Sequence, residues 1–155
     1  NIKKINMLFI SHRGNLKGAN KDLENKPSYI LNALEKKFDV EVDIWFEKNK
    51  FYLGHDNPKY IIEDEFLKIK KIWFHAKNIE AFNKLLNFKV NCFWHQNDDV
   101  TLTSNGFIWT YPGKPLTEKS ICVLPELNEV KNFNCAGICS DFILNYYKYN
   151  FKEEL

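Results

Sequence analysis

Four histidines each follow a run of apolar and aromatic residues, so titratable side chains recur at the ends of predicted strands. Short apolar runs of this kind are typical of buried strands. Between the first two histidines, Glu41 and Asp43 alternate with apolar residues, and residues two apart on a strand project to the same face. The spacing therefore predicts one site assembled from several strand ends. The histidines are His12, His55, His75 and His95.

These residue types fit the hydrolysis of a phosphodiester. Two carboxylates on one strand face can share a hard divalent cation, which prefers oxygen ligands. Such a cation polarises phosphoryl oxygens and lowers the pKa of a bound hydroxyl. Histidine titrates near neutral pH and can act as a general acid or base. Arg13, next to His12, carries a planar guanidinium that suits a phosphate.

The elements that must position these residues alternate between short strands and helices. One helix is predicted to begin at Pro27 and another after Asn78, a favourable N-cap residue. A short helical stretch is predicted over 63–68 and a closing aromatic helix over 142–155. A hairpin arm is expected to end at His55. Strands are predicted at about 5–11, 39–46, 71–74, 90–94, 100–103, 107–111, 120–124 and 136–140.

A parallel β/α barrel builds its active face from many strand ends. We therefore expect an α/β fold, a compact (β/α)8 TIM-like barrel, over a single domain of residues 1–155. A full barrel takes about 250 residues and this chain has 155, so several helices are expected to be shortened or replaced by loops. An open mixed α/β sheet is the alternative.

Composition and charge limit the classes of partner that this chain is expected to bind. The formal net charge is only +2 and the lysines are scattered, which argues against nucleic acid. No stretch approaches the roughly 20 apolar residues of a membrane span. The four cysteines are expected to be buried free thiols, as in a reducing compartment, which predicts a cytoplasmic protein. A small phosphodiester is the expected partner, and the oligomeric state stays open.

The ordered motifs of the chain resemble the glycerophosphodiester phosphodiesterase family, within the phospholipase-C-like barrel superfamily. Trp109-Thr110 is similar to a Trp-Thr strand of that family, and residues 137–141 are similar to its closing strand. The resemblance covers about residues 8–142, as in a compact divergent member. The motifs are His12-Arg13-Gly14, Glu24-Asn25, Glu41-x-Asp43 and Gly54-His55-Asp56.

The resemblance implies roles for these positions. His12 and His55 would be the acid/base pair that cleaves a glycerophosphodiester-like substrate and releases an alcohol. Glu41 and Asp43 would bind a divalent cation, with Mg²⁺ or Ca²⁺ expected. Members of the family are thought to use a neighbouring substrate hydroxyl as the nucleophile, and water then opens a cyclic phosphate.

Other residues are expected to bind or support the substrate. Arg13 and Lys77 are candidate phosphate contacts, and Glu24 is expected to orient Arg13. Asp56 is expected to brace its loop. His95 follows a strand end and Trp109 matches the family strand, so both are candidate substrate contacts.

One position departs from the family pattern, which usually has Glu-x-Lys where this chain has His75-Ala76-Lys77. His75 then joins Glu41 and Asp43 as a candidate metal ligand, although imidazole suits transition metals better than Mg²⁺ or Ca²⁺. Glu126 could supply a missing carboxylate. Two other functions stay open: a catalytically degenerate barrel that binds a phosphate or sugar phosphate, and a lipid-specific phospholipase, which would need an apolar pocket rim.

Overall fold

The computed structural model describes residues 6–152, which contain ten strands, four α-helices and one 3-10 helix. Residue 5 of the predicted first strand and residues 153–155 of the predicted closing helix lie outside the described residues. The helices are α1 (Pro27–Glu35), α2 (Asp64–Leu67), α3 (Ile79–Asn87) and α4 (Ile143–Lys152), and the 3-10 helix covers Pro125–Asn128. The strands are β1 (Leu8–His12), β2 (Asp39–Glu47), β3 (Lys50–Leu53), β4 (Tyr60–Ile62), β5 (Ile72–Ala76), β6 (Asn91–Trp94), β7 (Val100–Leu102), β8 (Ile108–Thr110), β9 (Ser120–Val123) and β10 (Gly137–Ser140).

All ten strands belong to one mixed sheet. Seven of them run parallel in the order β6-β5-β2-β1-β10-β9-β8. β7 pairs antiparallel with β8, and the hairpin β3–β4 continues antiparallel from the far half of β2. The carboxyl ends of the parallel strands therefore lie along one edge of the sheet, and the hairpin extends the sheet beyond the end of β1.

Local sequence explains where the elements begin and turn. α1 begins at Pro27, whose fixed φ suits the first helical turn. Asn78 caps α3, because its side chain accepts a hydrogen bond from Ala81 N at 3.1 Å. Lys48 and Asn49, the two residues between β2 and β3, both have positive φ, as a tight two-residue hairpin requires.

The expectation of a (β/α)8 TIM-like barrel is wrong. The sheet is mixed and curls into about half a barrel, which is closer to the open mixed sheet named as the alternative. A parallel crossover that contains a helix takes about 10–12 residues or more, so residues 111–119, which join the parallel strands β8 and β9, contain no helix. Between β6 and β8 the chain forms the antiparallel strand β7 and no crossover helix. Strand-end polar residues are equally compatible with both architectures.

Two hydrophobic clusters lie on opposite faces of the sheet. The larger cluster packs the helices against the convex face and includes Ile30, Val40 and Leu85. The smaller cluster fills the concave face and comprises Ile10, Trp73, Phe93, Trp109, Ile121, Val123 and Cys139. Because strand side chains alternate between faces, the residues two positions further along these strands project from the same concave face. Those positions carry the polar residues of the candidate site.

All four cysteines are buried and free. Across residues 6–152, no helix has the length and apolar character needed to cross a membrane.

Candidate active site and metal centre

His12 ends β1 and is held by the end of β10. Its Nδ1 lies 2.7 Å from Asp141 Oδ1, and its Nε2 lies 3.8 Å from Glu41 Oε2 on β2. The side chain is only 12% exposed. Burial opposes protonation, yet the hydrogen bond to Asp141 and the charge of Glu41 raise the pKa of His12 above its ordinary value. His12 is therefore a fixed imidazole that can gain and lose a proton at Nε2.

Glu41, Asp43 and His75 form a compact three-residue cluster. One potential ligand atom from each lies within 4.8 Å of the others. Parallel pairing brings them together, because β2 and β5 are in register at Asp43 and His75. His75 Nδ1 lies 3.2 Å from Asp43 Oδ1 and 3.8 Å from Glu41 Oε1. Two buried carboxylates and an imidazole in this arrangement fit a divalent cation.

Glu41 Oε2 and Asp43 Oδ1 are buried and have no hydrogen-bond partner. A buried carboxylate oxygen without a partner is energetically costly. Burial and the neighbouring Asp43 charge raise the pKa of Glu41. Burial also acts to raise the pKa of Asp43, but the adjacent His75 and Arg13 lower it below its ordinary value. The unpartnered oxygens leave ligand positions for a cation.

Asp43 is also surrounded by basic and amide groups. Arg13 Nε lies 3.0 Å from Oδ2, and Lys77 Nζ lies 3.9 Å from Oδ1. Asn25 donates to Oδ2 at 2.9 Å and accepts from the Asp43 backbone N–H at 2.9 Å. The structure thus places both predicted phosphate-binding cations next to the predicted metal ligands.

A second set of polar contacts fixes Arg13 and Asp141. Glu24 accepts from Arg13 Nη1 at 3.2 Å through one oxygen and from Asn15 Nδ2 at 3.0 Å through the other. The same Asn15 amide donates to Asp141 Oδ1 at 2.9 Å. The predicted orienting role of Glu24 agrees with this contact. Asn15 therefore links Glu24, the partner of Arg13, to Asp141.

His55 lies on a loop that the hairpin brings towards β1. Its Nδ1 contacts Asp56 at 2.6 Å, and its side chain is 42% exposed. With Arg13, Glu24 and Gly54, it lines a polar cavity of about 380 Å³. Gly54 has φ +152, and a Cβ there would lie 2.1 Å from the Asn57 carbonyl oxygen. The tight turn needs glycine, and it sets the position of His55.

His95 follows β6 and lies behind His75. Its backbone carbonyl contacts His75 Nε2 at 3.0 Å, and its ring centroid is 3.8 Å from that of Tyr111. Both ring nitrogens are buried without a hydrogen-bond partner. Burial, with added repulsion from His75 and Lys77, lowers the pKa of His95 to about 4. His95 is therefore a neutral imidazole at neutral pH.

Two predicted residues occupy other positions. Trp109 is 4% exposed and packs at 4.5 Å on Phe93 in the concave hydrophobic cluster. It lies beneath the polar residues. Glu126, in the 3-10 helix, accepts from Ser140 Oγ at 2.9 Å and from Asp141 N at 3.2 Å, so it braces the end of β10. It is not one of the three clustered ligands.

Sequence reasoning missed three residues as site members: Asn15, Asn25 and Asp141. Asn25 and Asp141 stand inside the quoted motifs, and this membership was the available signal. Asn15 had no signal beyond its place directly after the His-Arg-Gly motif. Its role depends on contacts between β1, the following loop and β10, which are distant in sequence.

An apolar groove opens beyond Glu126. Phe133, Phe142, Tyr146 and Tyr149 line it, and its volume is about 540 Å³. The cavity next to Arg13 and His55 is polar by contrast.

Comparisons of the chain with protein-family models, curated proteins and solved structures find no match.

Proposed function

We propose that this chain is a metal-dependent phosphodiester hydrolase that acts on a glycerophosphodiester-like substrate. The observation that carries the proposal is the buried cluster of Glu41, Asp43 and His75 beside the Asp141-held His12. One group of contacting side chains contains carboxylate oxygens without a hydrogen-bond partner, an oriented acid/base histidine and the positively charged side chains of Arg13 and Lys77. Each of these parts serves a different need of phosphodiester cleavage.

The protein residues have distinct roles. Asp141 holds His12 through Nδ1, so the proton is exchanged at Nε2, which faces Glu41. His55 faces the polar cavity shared with Arg13 and serves as the second acid/base residue. Arg13 and Lys77 bind the phosphate. Following the family resemblance, a neighbouring hydroxyl of the substrate gives its proton to one of these histidines and attacks phosphorus. The P–O bond to the alcohol breaks, the other histidine protonates the leaving alkoxide, and water then opens the cyclic phosphate.

The charge of the site supports a bound dication. Four carboxylates, Glu24, Glu41, Asp43 and Asp141, stand against the fixed positive charges of Arg13 and Lys77. The carboxylates outnumber these two cationic side chains within the contact network, and this excess would repel an anionic phosphodiester. A dication held by Glu41, Asp43 and His75 would offset this excess and would supply Lewis-acid polarisation of a phosphoryl oxygen.

Hydrolysis assays test the proposal directly. Glycerophosphocholine, which carries a hydroxyl next to its phosphodiester, is incubated with chelator-treated protein, with and without divalent cations. We expect activity only after a cation is restored. His12→Asn and Glu41→Gln should each lower kcat by at least about 100-fold, because each removes a general acid/base or a metal ligand.

Glu65→Gln is the control, because Glu65 is an exposed glutamate on α2 whose partner is Lys68. It should retain wild-type activity. Chelator-resistant turnover, or full activity in Glu41→Gln, would refute the metal-dependent mechanism. A cytoplasmic setting is proposed with this function, since free thiols persist in a reducing compartment.

A second candidate, a degenerate domain that binds a phosphate or sugar phosphate, is favoured by the basic groups around Asp43. Arg13, His75 and Lys77 all lie within 3.9 Å of its carboxylate, so ion pairs alone satisfy part of its charge. This candidate predicts binding of inorganic phosphate without turnover in every cation tested. Calorimetry beside the hydrolysis assays separates the two functions.

A further inference from the structure

The tautomer of His75 is fixed by the backbone carbonyl of His95. Its Nε2 lies 3.0 Å from the His95 backbone carbonyl, and a carbonyl oxygen only accepts hydrogen bonds. The ring therefore donates from Nε2, and in the neutral imidazole the lone pair is on Nδ1. Stacking on Phe93, at 5.0 Å between ring centroids and 13° between planes, fixes the ring orientation.

That Nδ1 lone pair faces two carboxylates. Asp43 Oδ1 is 3.2 Å away and Glu41 Oε1 is 3.8 Å away. Asp43 Oδ1 and Glu41 Oε2 have no hydrogen-bond partner, and both side chains are at most 3% exposed. Three groups of acceptors converge on one buried point. Histidines that bind a metal through one ring nitrogen commonly donate a hydrogen bond from the other nitrogen to a backbone carbonyl, which orients the ring towards the ion.

We propose that this site selects a first-row transition-metal dication of the Zn²⁺ or Co²⁺ type over Mg²⁺ and Ca²⁺, and that His75 is the selecting ligand. Mg²⁺ and Ca²⁺ prefer oxygen ligands throughout, whereas imidazole favours later transition metals. The inference rests on the metal centre of the proposed function but does not require hydrolysis. It replaces the Mg²⁺ or Ca²⁺ expected from the family resemblance.

Direct binding measurements test the selectivity without an activity assay. Chelator-treated wild-type protein is titrated with Zn²⁺, Co²⁺, Mg²⁺ and Ca²⁺ by calorimetry, and Co²⁺ binding is followed by its visible absorption bands. We expect Zn²⁺ and Co²⁺ to bind at least about 100-fold more tightly than Mg²⁺, following the ligand preference. The Co²⁺ bands should show nitrogen and oxygen ligation without thiolate charge transfer.

Two substitutions at one position isolate the imidazole. His75→Glu supplies an oxygen ligand and should shift the Zn²⁺/Mg²⁺ preference towards Mg²⁺ by at least about tenfold. His75→Gln supplies no strong ligand and should weaken Zn²⁺ binding by about 100-fold. Glu65→Gln again serves as the remote control and should bind like wild type. Circular dichroism and urea unfolding establish that each variant is folded.

The outcomes separate this inference from the proposed function. Equal or tighter binding of Mg²⁺ by wild type, or an unchanged preference in His75→Glu, overturns the inference while leaving metal-dependent hydrolysis intact. Selective Zn²⁺ and Co²⁺ binding without hydrolysis under any condition supports the inference and refutes the proposed function. Folded wild-type protein that binds none of the four cations refutes both.

Discussion

Replacing Asp141 by asparagine should lower the pKa of His12 without breaking its contacts. Asp141 Oδ1 accepts from both His12 Nδ1 and Asn15 Nδ2, at 2.7 and 2.9 Å. The single amide oxygen of an asparagine can accept the same two hydrogen bonds. The substitution Asp141→Asn therefore removes a negative charge and keeps the shape of the site.

The size of the effect follows from the change in hydrogen-bond type. A hydrogen bond to a charged group contributes about 1.5–3 kcal/mol and a neutral one about 0.5–1.5 kcal/mol. The difference of roughly 1–1.5 kcal/mol corresponds to a fall of about one unit in the His12 pKa. Glu41 remains 3.8 Å from Nε2, and its charge continues to oppose the effect of burial on the His12 pKa.

The same substitution changes the pH dependence of stability. His12 has a raised pKa, so its contribution is fully present below the unfolded value near 6.5 and is lost as pH rises through the folded value. Burial acts to raise the pKa of Asp141, but His12 lowers it, so its contribution is present above the unfolded value near 3.8 and is lost as pH falls. The pair stabilises the fold most between these limits, and Asp141→Asn should reduce the free energy of unfolding there.

Histidine NMR measures the pKa directly. The chain has four histidines, so His12→Gln assigns the resonance, and chelator-treated protein excludes effects of bound cations. Asp64→Asn is the matched control, because Asp64 is an exposed aspartate at the start of α2. An unchanged or higher His12 pKa in Asp141→Asn would refute the assignment of Asp141 as the group that stabilises the imidazolium.

Two further predictions concern the neighbouring loops. Gly54→Ala should lower the free energy of unfolding by about 1–3 kcal/mol and reduce hydrolysis, because its Cβ would meet the Asn57 carbonyl at 2.1 Å. Gly106→Ala, also at positive φ but with no heavy atom within 4 Å of its Cβ, should cost less in urea unfolding; equal costs would refute the steric argument. The depressed His95 pKa, about 4, means that stability should fall as pH drops from 6.5 towards 4. His95→Phe should remove that decline, and NMR of His95 should give a pKa near 4; a value above 6 would contradict the buried neutral imidazole.

Periodicity and capping in the sequence located most elements but not their arrangement. The start of α1 at Pro27 and the Asn78 cap of α3 are set by local chemistry, which is readable from neighbouring residues. Strand β4, residues Tyr60–Ile62, was not predicted, since three residues after a polar loop carry little periodic signal. Whether the sheet closes depends on crossover length and pairing partners, and short apolar runs do not encode these.

The candidate site was predictable where residue type and strand spacing coincide. Glu41 and Asp43 are two apart on one strand, and strand register then brings His75 beside them. Trp109 shows the limit of this reasoning, because its alternation places it on the concave face but one layer below the polar residues. The position of a residue along its strand decides whether its side chain packs in the concave hydrophobic cluster or contacts the substrate. For Trp109 this position is evident only from its packing on Trp73 and Phe93 in the folded chain.

The imidazole at position 75 also affects the protein before any cation binds. A glutamate there would add a third buried carboxylate beside Glu41 and Asp43, and burying like charges together costs several kcal/mol. A neutral His75 adds no charge, and a protonated one would donate to Asp43 across the 3.2 Å contact. The metal-free fold therefore needs no further charge compensation from Arg13 and Lys77, which already lie 3.0 and 3.9 Å from Asp43. The imidazole at position 75 thus accounts both for the proposed selectivity for transition metals and for the tolerance of the metal-free state, and His75→Glu should lower metal-free stability while raising Mg²⁺ affinity.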